Sequence, residues 1–126
     1  MPKNLFLDDT RKPKVVFPDD ANNWDLVTTY EEFVKYLNDI ADSADENNMP
    51  PIVSFDYVLG DVKDGESCAK FLAEFCIKYG LKLPTCYVHS SYPNATGYIN
   101  RGLDYYYKAT GDPKVPVPLI RHSFFL

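Results

Sequence analysis

The stretch Asn4-Leu5-Phe6-Leu7-Asp8-Asp9 decides how the chain is read, because a short run suited to a buried strand stops abruptly at two carboxylates. The same device recurs. Ile52-Val53-Ser54-Phe55 runs into Asp56, Thr85-Cys86-Tyr87-Val88 into His89-Ser90-Ser91, and Tyr105-Tyr106-Tyr107 into Lys108. Short apolar runs separated by helical patterns read as parallel strands buried on both faces. In an open α/β sheet the carboxyl ends of such strands face one crevice. Three carboxylates, a His-Ser pair and a lysine are therefore expected to share a pocket, a set suited to a divalent cation and a phosphoryl group.

Between these runs the pattern turns helical. From residue 29 to 44, Tyr30, Phe33, Val34, Leu37, Ile40 and Ala41 fall on one helix face. Thr28 and Thr29 each stand three residues before a glutamate, Glu31 and Glu32, so either can close a capping box. Cys68, Phe71, Leu72, Phe75, Cys76 and Tyr79 mark a second helix, with Asp64 or Ser67 to cap its start and Gly80 to cap its end. Trp24 to Thr28 reads as a strand after a long polar loop from Thr10 to Asn23, and a short helix is expected from about Asn94 to Arg101, ended by Gly102. Right-handed crossovers then give one α/β domain over residues 1–126, a five-stranded parallel sheet with helices on both faces. The tail, residues 113–126, departs from the pattern. Pro113, Pro116 and Pro118 exclude an early helix, while Leu119-Ile120 and Phe124-Phe125-Leu126 are too apolar for water. The tail is expected to pack on the domain or on a second copy as a homodimer.

Composition narrows the function. A chain of 126 residues, 45% hydrophobic and 25% charged, makes one ordinary globular domain. Its net charge of −5 argues against broad nucleic-acid binding or attachment to an anionic membrane. No apolar stretch approaches the roughly 20 residues of a membrane span, and the first residues lack a signal core. Cys68, Cys76 and Cys86 are odd in number and lack zinc-like spacing, which fits reduced thiols in a cytoplasmic protein. On the helical pattern Cys68 and Cys76 are core residues.

Adjacent carboxylates repel, and a hard cation relieves that repulsion. Asp8, Asp9 and Asp56 are thus candidate ligands for Mg²⁺, with Mn²⁺ or Ca²⁺ as alternatives. His89 reads either as a histidine hydrogen-bonded at the core edge or as a catalytic acid/base. Ser90 or Ser91 can donate to a phosphoryl oxygen, and Arg11 and Lys108 are the candidate cations. His122, in the tail, is assigned no role.

The signature Leu5-Phe6-Leu7-Asp8-Asp9-Thr10-Arg11-Lys12-Pro13 is followed by Trp24 to Thr29 and Tyr30-Glu31-Glu32-Phe33. Next come Ser54-Phe55-Asp56-Tyr57-Val58-Leu59-Gly60-Asp61 and Val88-His89-Ser90 with Asn94, Gly97 and Ile99-Asn100. In order and spacing, through about residues 3 to 101, it resembles the cyclic-phosphate-processing receiver-like family. These are small stand-alone relatives of response-regulator receivers, often encoded by bacteria and their phages. The resemblance implies a flavodoxin-type three-layer sandwich with sheet order 2-1-3-4-5 and a site over Asp8, Asp9 and Asp56. Taken with the reading of the residues, the expected ligand is a small phosphorylated or nucleotide compound, with Arg11, Ser90, Asn94 and Lys108 as phosphate contacts and Asp56 and His89 as catalytic groups. The chain departs from the family's Asp-His-Asp-Leu-Gly motif, which here reads Asp56-Tyr57-Val58-Leu59-Gly60; Asp61 is a stand-in for the lost acid. Asp8-Asp9, Asp56, Ser90 and Lys108 are also similar to the acidic pair, phosphoacceptor, hydroxyl and lysine of a phosphorylatable receiver. Three functions follow as expectations: a metal-dependent phosphoesterase acting on a cyclic or esterified phosphate, a phosphoaspartyl switch or phosphate- and nucleotide-binding module, and a non-catalytic interaction protein.

Overall fold

A computed structural model describes residues 2–43, 46–60 and 62–120. In chain order its elements are β1 (Asn4–Leu7), α1 (Pro13–Val16), β2 (Trp24–Val27), α2 (Tyr30–Ser43), β3 (Ile52–Phe55), α3 (Gly65–Tyr79), β4 (Thr85–Val88) and α4 (Ala95–Thr110), with short 3₁₀ turns before β2 and β3. The strands form one parallel sheet in the order β2-β1-β3-β4. Leu5 pairs with Val53, which pairs with Cys86, and Leu7 pairs with Phe55, which pairs with Val88. Because side chains alternate along a strand, these six face one side of the sheet, while Phe6, Ser54 and Tyr87 face the other.

The first side carries the main core. Phe33 and Leu37 from α2, Cys68, Leu72 and Phe75 from α3, and Ile99, Leu103 and Tyr106 from α4 close over it. The caps form from the residues the sequence offered. Thr29 Oγ1 accepts from the Glu32 amide at 3.1 Å, and the Glu32 carboxylate accepts from the amide and hydroxyl of Thr28. Asp64 accepts from the Ser67 amide at 3.0 Å, and Gly80 closes α3 in the left-handed region at φ 65°. All three cysteines are buried and reduced, with burial pushing their thiols up.

The second side is thinner. Phe6 and Trp24 meet Val16 of α1, with Phe17, Tyr87 and Ile120 packed around them. Among the described residues, one helical turn, a loop and a piece of the tail thus stand where a full helical layer was expected. The sheet of the described residues also has four strands and not five. Residues 105–107 lie inside α4, which continues through Gly102. A Cβ at Gly102 would meet the Glu66 carbonyl oxygen at 2.7 Å and Ala69 Cβ at 2.9 Å. This glycine lets α4 close on α3 and does not end the helix. The free edge of β4 is taken by the tail instead. Val88 N donates to the Pro118 carbonyl at 3.0 Å, and Ile120 N donates to the Val88 carbonyl at 2.7 Å, around a single parallel bridge from Val88 to Leu119. A proline-bearing segment fits there because only an edge tolerates a missing donor. His122 and Phe124 to Leu126 lie outside the described residues, as does Asp61. Among the described residues no helix is long and apolar enough to cross a membrane.

Candidate active site

Alternation along the strands carries beyond their ends. Asp8 continues the row of Phe6, Asp56 that of Ser54, and His89 that of Tyr87, so all three turn to the thin side of the sheet. Asp8 and His89 are fully buried, and Asp56 and Ser90 nearly so. In such surroundings each charge needs a partner.

Asp8 has several. Its Oδ1 accepts from the amides of Thr10 and Arg11, both at 2.9 Å, and from the Thr10 hydroxyl at 3.2 Å. Its Oδ2 meets Arg11 Nη1 at 3.2 Å and His89 Nε2 at 3.1 Å. Burial by itself would raise this carboxyl, but His89 and the backbone donors of Arg11 and Thr10 outweigh it and hold Asp8 well below the usual carboxylate range. Asp56 goes the other way. Burial and the nearby Asp8 charge push it up to about 6, against the Ser90 hydroxyl, Arg11 and the Tyr57 amide. Arg11 spans the two carboxylates, 3.2 Å from Asp8 and 3.9 Å from Asp56, and donates to the Ser91 hydroxyl at 3.2 Å. The Ser90 hydroxyl bonds Asp56 and accepts from the Tyr92 amide at 3.1 Å.

His89 is placed differently from an exposed acid/base group. Its ring stacks on Phe6 at 4.2 Å between centroids and 6° between planes. Nδ1 lies 2.7 Å from Ser54 Oγ. An ionised carboxylate can only accept, so Nε2 carries the proton toward Asp8 and Nδ1 accepts from Ser54. Burial lowers its pKa, which keeps the ring neutral. With no exposed surface and both nitrogens engaged, His89 positions Asp8 and reaches a ligand only through it.

Asp9 is exposed beside them, and ligand oxygens of Asp8, Asp9 and Asp56 lie within 4.8 Å of one another. Gly60, at φ 64°, runs past Asp9 so closely that a Cβ there would sit 3.0 Å from Asp9 Oδ2. Three convergent carboxylates, one raised by burial and then by its neighbour's charge, are a hard oxygen donor set that fits Mg²⁺, Mn²⁺ or Ca²⁺. These groups open into a cleft of about 410 Å³ lined by Asp9, Thr10, Arg11, Asp56, Val58 and Ser90 to Pro93.

Two expected phosphate contacts lie elsewhere. Lys108 is exposed in the last turn of α4. That helix starts beside the cleft at Ala95, and its rise carries Lys108 about 20 Å away. Asn94 precedes α4 in the left-handed region at φ 63° and lines a neighbouring hollow with Leu119 and Ile120, outside the acidic cleft. Tyr57 turns its hydroxyl to Asp64, and Val58 is the residue that faces the cleft, 46% exposed. Ser54, Gly60 and Tyr92 were missed from the sequence. The signal for Ser54 was a polar residue inside an apolar strand, two positions before Asp56.

A sequence profile of the cyclic-phosphate processing receiver domain matches residues 3–105. The chain belongs to that family. Asp8, Asp9, Asp56, His89 and Ser90 all fall within the matched span, as do Tyr57 and Val58. No curated protein and no solved structure is a significant match to the chain. The fold is receiver-like, an α/β domain on a parallel sheet of four strands.

Proposed function

We propose that this receiver domain hydrolyses a cyclic or otherwise esterified phosphate with the help of a divalent cation. The observation that carries this reading is the convergence of Asp8, Asp9 and Asp56 within 4.8 Å, faced by the Arg11 guanidinium and the hydroxyls of Ser90 and Ser91. Asp8, Asp9 and Asp56 would hold the cation, Mg²⁺ by availability. Bound there, it would supply positive charge to a phosphoryl oxygen.

The chain's own residues account for the rest. Arg11 offers guanidinium donors that suit phosphate oxygens, and the two serines add hydroxyl donors. Asp56 is pushed up to about 6 by the protein alone; beside a bound cation it would fall back, so Asp56 would act as a ligand that orients the attacking water and not as the store for its proton. In hydrolysis of a cyclic ester, that water adds to phosphorus and gives its proton to solvent, one ring P–O bond breaks, and the leaving alkoxide takes a proton from solvent, giving a phosphomonoester with a free hydroxyl. His89, clamped between Ser54 and Asp8, holds the Asp8 carboxylate in one orientation throughout.

Lys108 weakens the phosphoaspartyl switch. A receiver of that kind needs its lysine beside the acceptor aspartate, and here Lys108 stands about 20 Å along α4 from Ala95, the end of the helix that starts beside the cleft. Phosphorus NMR of the protein with Mg²⁺, nucleoside 2′,3′-cyclic phosphates, 3′,5′-cyclic nucleotides and acetyl phosphate tests the reading directly. Loss of a cyclic resonance in the wild type but not in Asp56→Asn is the expected result. A single stoichiometric phosphorylation from acetyl phosphate, or no change over hours at high protein concentration, overturns it.

A further inference from the structure

The acidic groups occupy only part of the cleft. Its volume of about 410 Å³ equals roughly fourteen waters at about 30 Å³ each, far more than one ion and one phosphate group displace. It falls in the range of small-molecule sites. The remaining wall is of another kind, made by Val58, Tyr92 and Pro93.

Tyr92 is the end of a row. The Arg101 guanidinium lies 5.0 Å from the Tyr98 ring, Tyr98 stacks on Tyr57 at 4.8 Å and 19°, and Tyr57 meets Tyr92 at 5.0 Å and 36°. Arg101 is itself held by two 2.7 Å bonds to Glu66. The row is therefore braced at its far end, and its near end is a ring 46% exposed that lines the cleft. The Tyr92 amide also donates to Ser90 Oγ, the hydroxyl that bonds Asp56. The aromatic end and the phosphate-facing end of the cleft are thus fixed to each other through one short loop.

We infer that Tyr92, backed by Tyr57 and Tyr98, is a stacking subsite for a nucleobase, so that the ligand of the acidic cleft is a nucleoside phosphate. This rests on the phosphate reading proposed above. A flat π system gains more from the face of a braced aromatic ring beside Val58 and Pro93 than a hydroxyl-rich group does, because its whole face is apolar and polarisable. With a net charge of −5 on the chain, the contribution of an uncharged base complements the local charge of Arg11.

The test is calorimetric binding in Mg²⁺ of inorganic phosphate, ribose 5-phosphate and adenosine 3′-monophosphate to the wild type, Tyr92→Ala and Tyr92→Trp. Adenosine 3′-monophosphate should bind about tenfold or more tighter than ribose 5-phosphate, the scale of one base-aromatic stack. Tyr92→Ala should erase that gap and Tyr92→Trp keep it, with the new indole quenched by the nucleotide and not by ribose 5-phosphate. Affinity for inorganic phosphate should be equal in all three proteins. Equal binding of the two sugar phosphates, or a gap that survives Tyr92→Ala, overturns the stacking subsite and leaves the phosphate site standing. Failure of all three ligands to bind overturns the phosphate reading and this inference with it.

Discussion

Asp56→Asn should make the metal-free protein more stable at neutral pH while destroying its function. Asp56 is 4% exposed and its carboxyl is raised from 3.8 to about 6. At about 1.4 kcal/mol per pH unit, holding it ionised costs the fold about 3 kcal/mol. The sign follows from proton counts: between 3.8 and about 6 the native state binds more protons than the unfolded chain, so stability falls as pH rises through that window, and the full cost is present above it. Asparagine keeps an oxygen for Ser90 and the Tyr57 amide, can donate to Asp8, and carries no charge. Urea unfolding in EDTA should place Asp56→Asn about 1–3 kcal/mol above the wild type at pH 7.5, with the two converging near pH 4. Adding Mg²⁺ at ten times its dissociation constant should return about 1.4 kcal/mol to the wild type and almost nothing to the variant. An Asp56→Asn protein less stable at pH 7.5, or a gain of equal size at both pH values, refutes the claim that Asp56 is held ionised against its surroundings.

Other substitutions probe the supports of the site. Ser54→Ala removes the hydroxyl 2.7 Å from His89 Nδ1 and should cost about 1–3 kcal/mol in urea unfolding, with divalent-cation affinity falling about 10–100-fold by calorimetry as Asp8 loses its brace. Gly60→Ala puts a Cβ 3.0 Å from Asp9 Oδ2 on a backbone at φ 64°; it should cost about 1–2 kcal/mol and weaken cation binding. Arg11→Gln should lower affinity for inorganic phosphate about tenfold or more, whereas Lys108→Ala should leave it unchanged. Gly102→Ala drives a Cβ to 2.7 Å from the Glu66 carbonyl oxygen, and a thermal melt should show the loss of about 1–3 kcal/mol expected of overpacking.

The acidic end of the site was legible because Leu5 to Leu7 and Ile52 to Phe55 are too short for helices and lie between polar or proline-bearing segments. Read as buried strands of alternating side chains, they place the residues that follow them at one edge of the sheet. The same alternation held the role of His89. Counting by twos from Phe6, Ser54 and Tyr87 puts Asp8, Asp56 and His89 on one side, under the aromatic cluster, where a histidine is sealed from solvent. Its place at a strand end could not choose between a histidine hydrogen-bonded at the core edge and a catalytic acid/base; the side it faces matches the first in geometry. Tyr57 shows the opposite limit. Its packing against Tyr98 and its bond to Asp64 depend on the start of α3 and on a helix forty residues later, which no local pattern encodes.

The misplaced fifth strand has a physical cause with consequences for function. Three successive tyrosines favour a strand by propensity, but a strand buried on both faces would hide all of them, and only Tyr106 is buried here. The helical spacing Ala95, Ile99, Gly102, Leu103, Tyr106 was present in the sequence and prevails because Gly102 lets α4 seat on α3 over its length. Once residues 95–110 are one helix, Lys108 is carried away from the cleft and the edge of β4 is left open for the segment Pro118 to Ile120. Among the described residues the tail contributes an edge strap on β4, while Asp8, Asp9, Asp56, Ser90 and Arg11 are kept together. The proposed hydrolytic use of the cleft relies on Arg11, whereas a phosphoaspartyl switch would rely on Lys108, which stands at the far end of α4. Comparing Lys108→Ala with Arg11→Gln separates these two uses of the same scaffold.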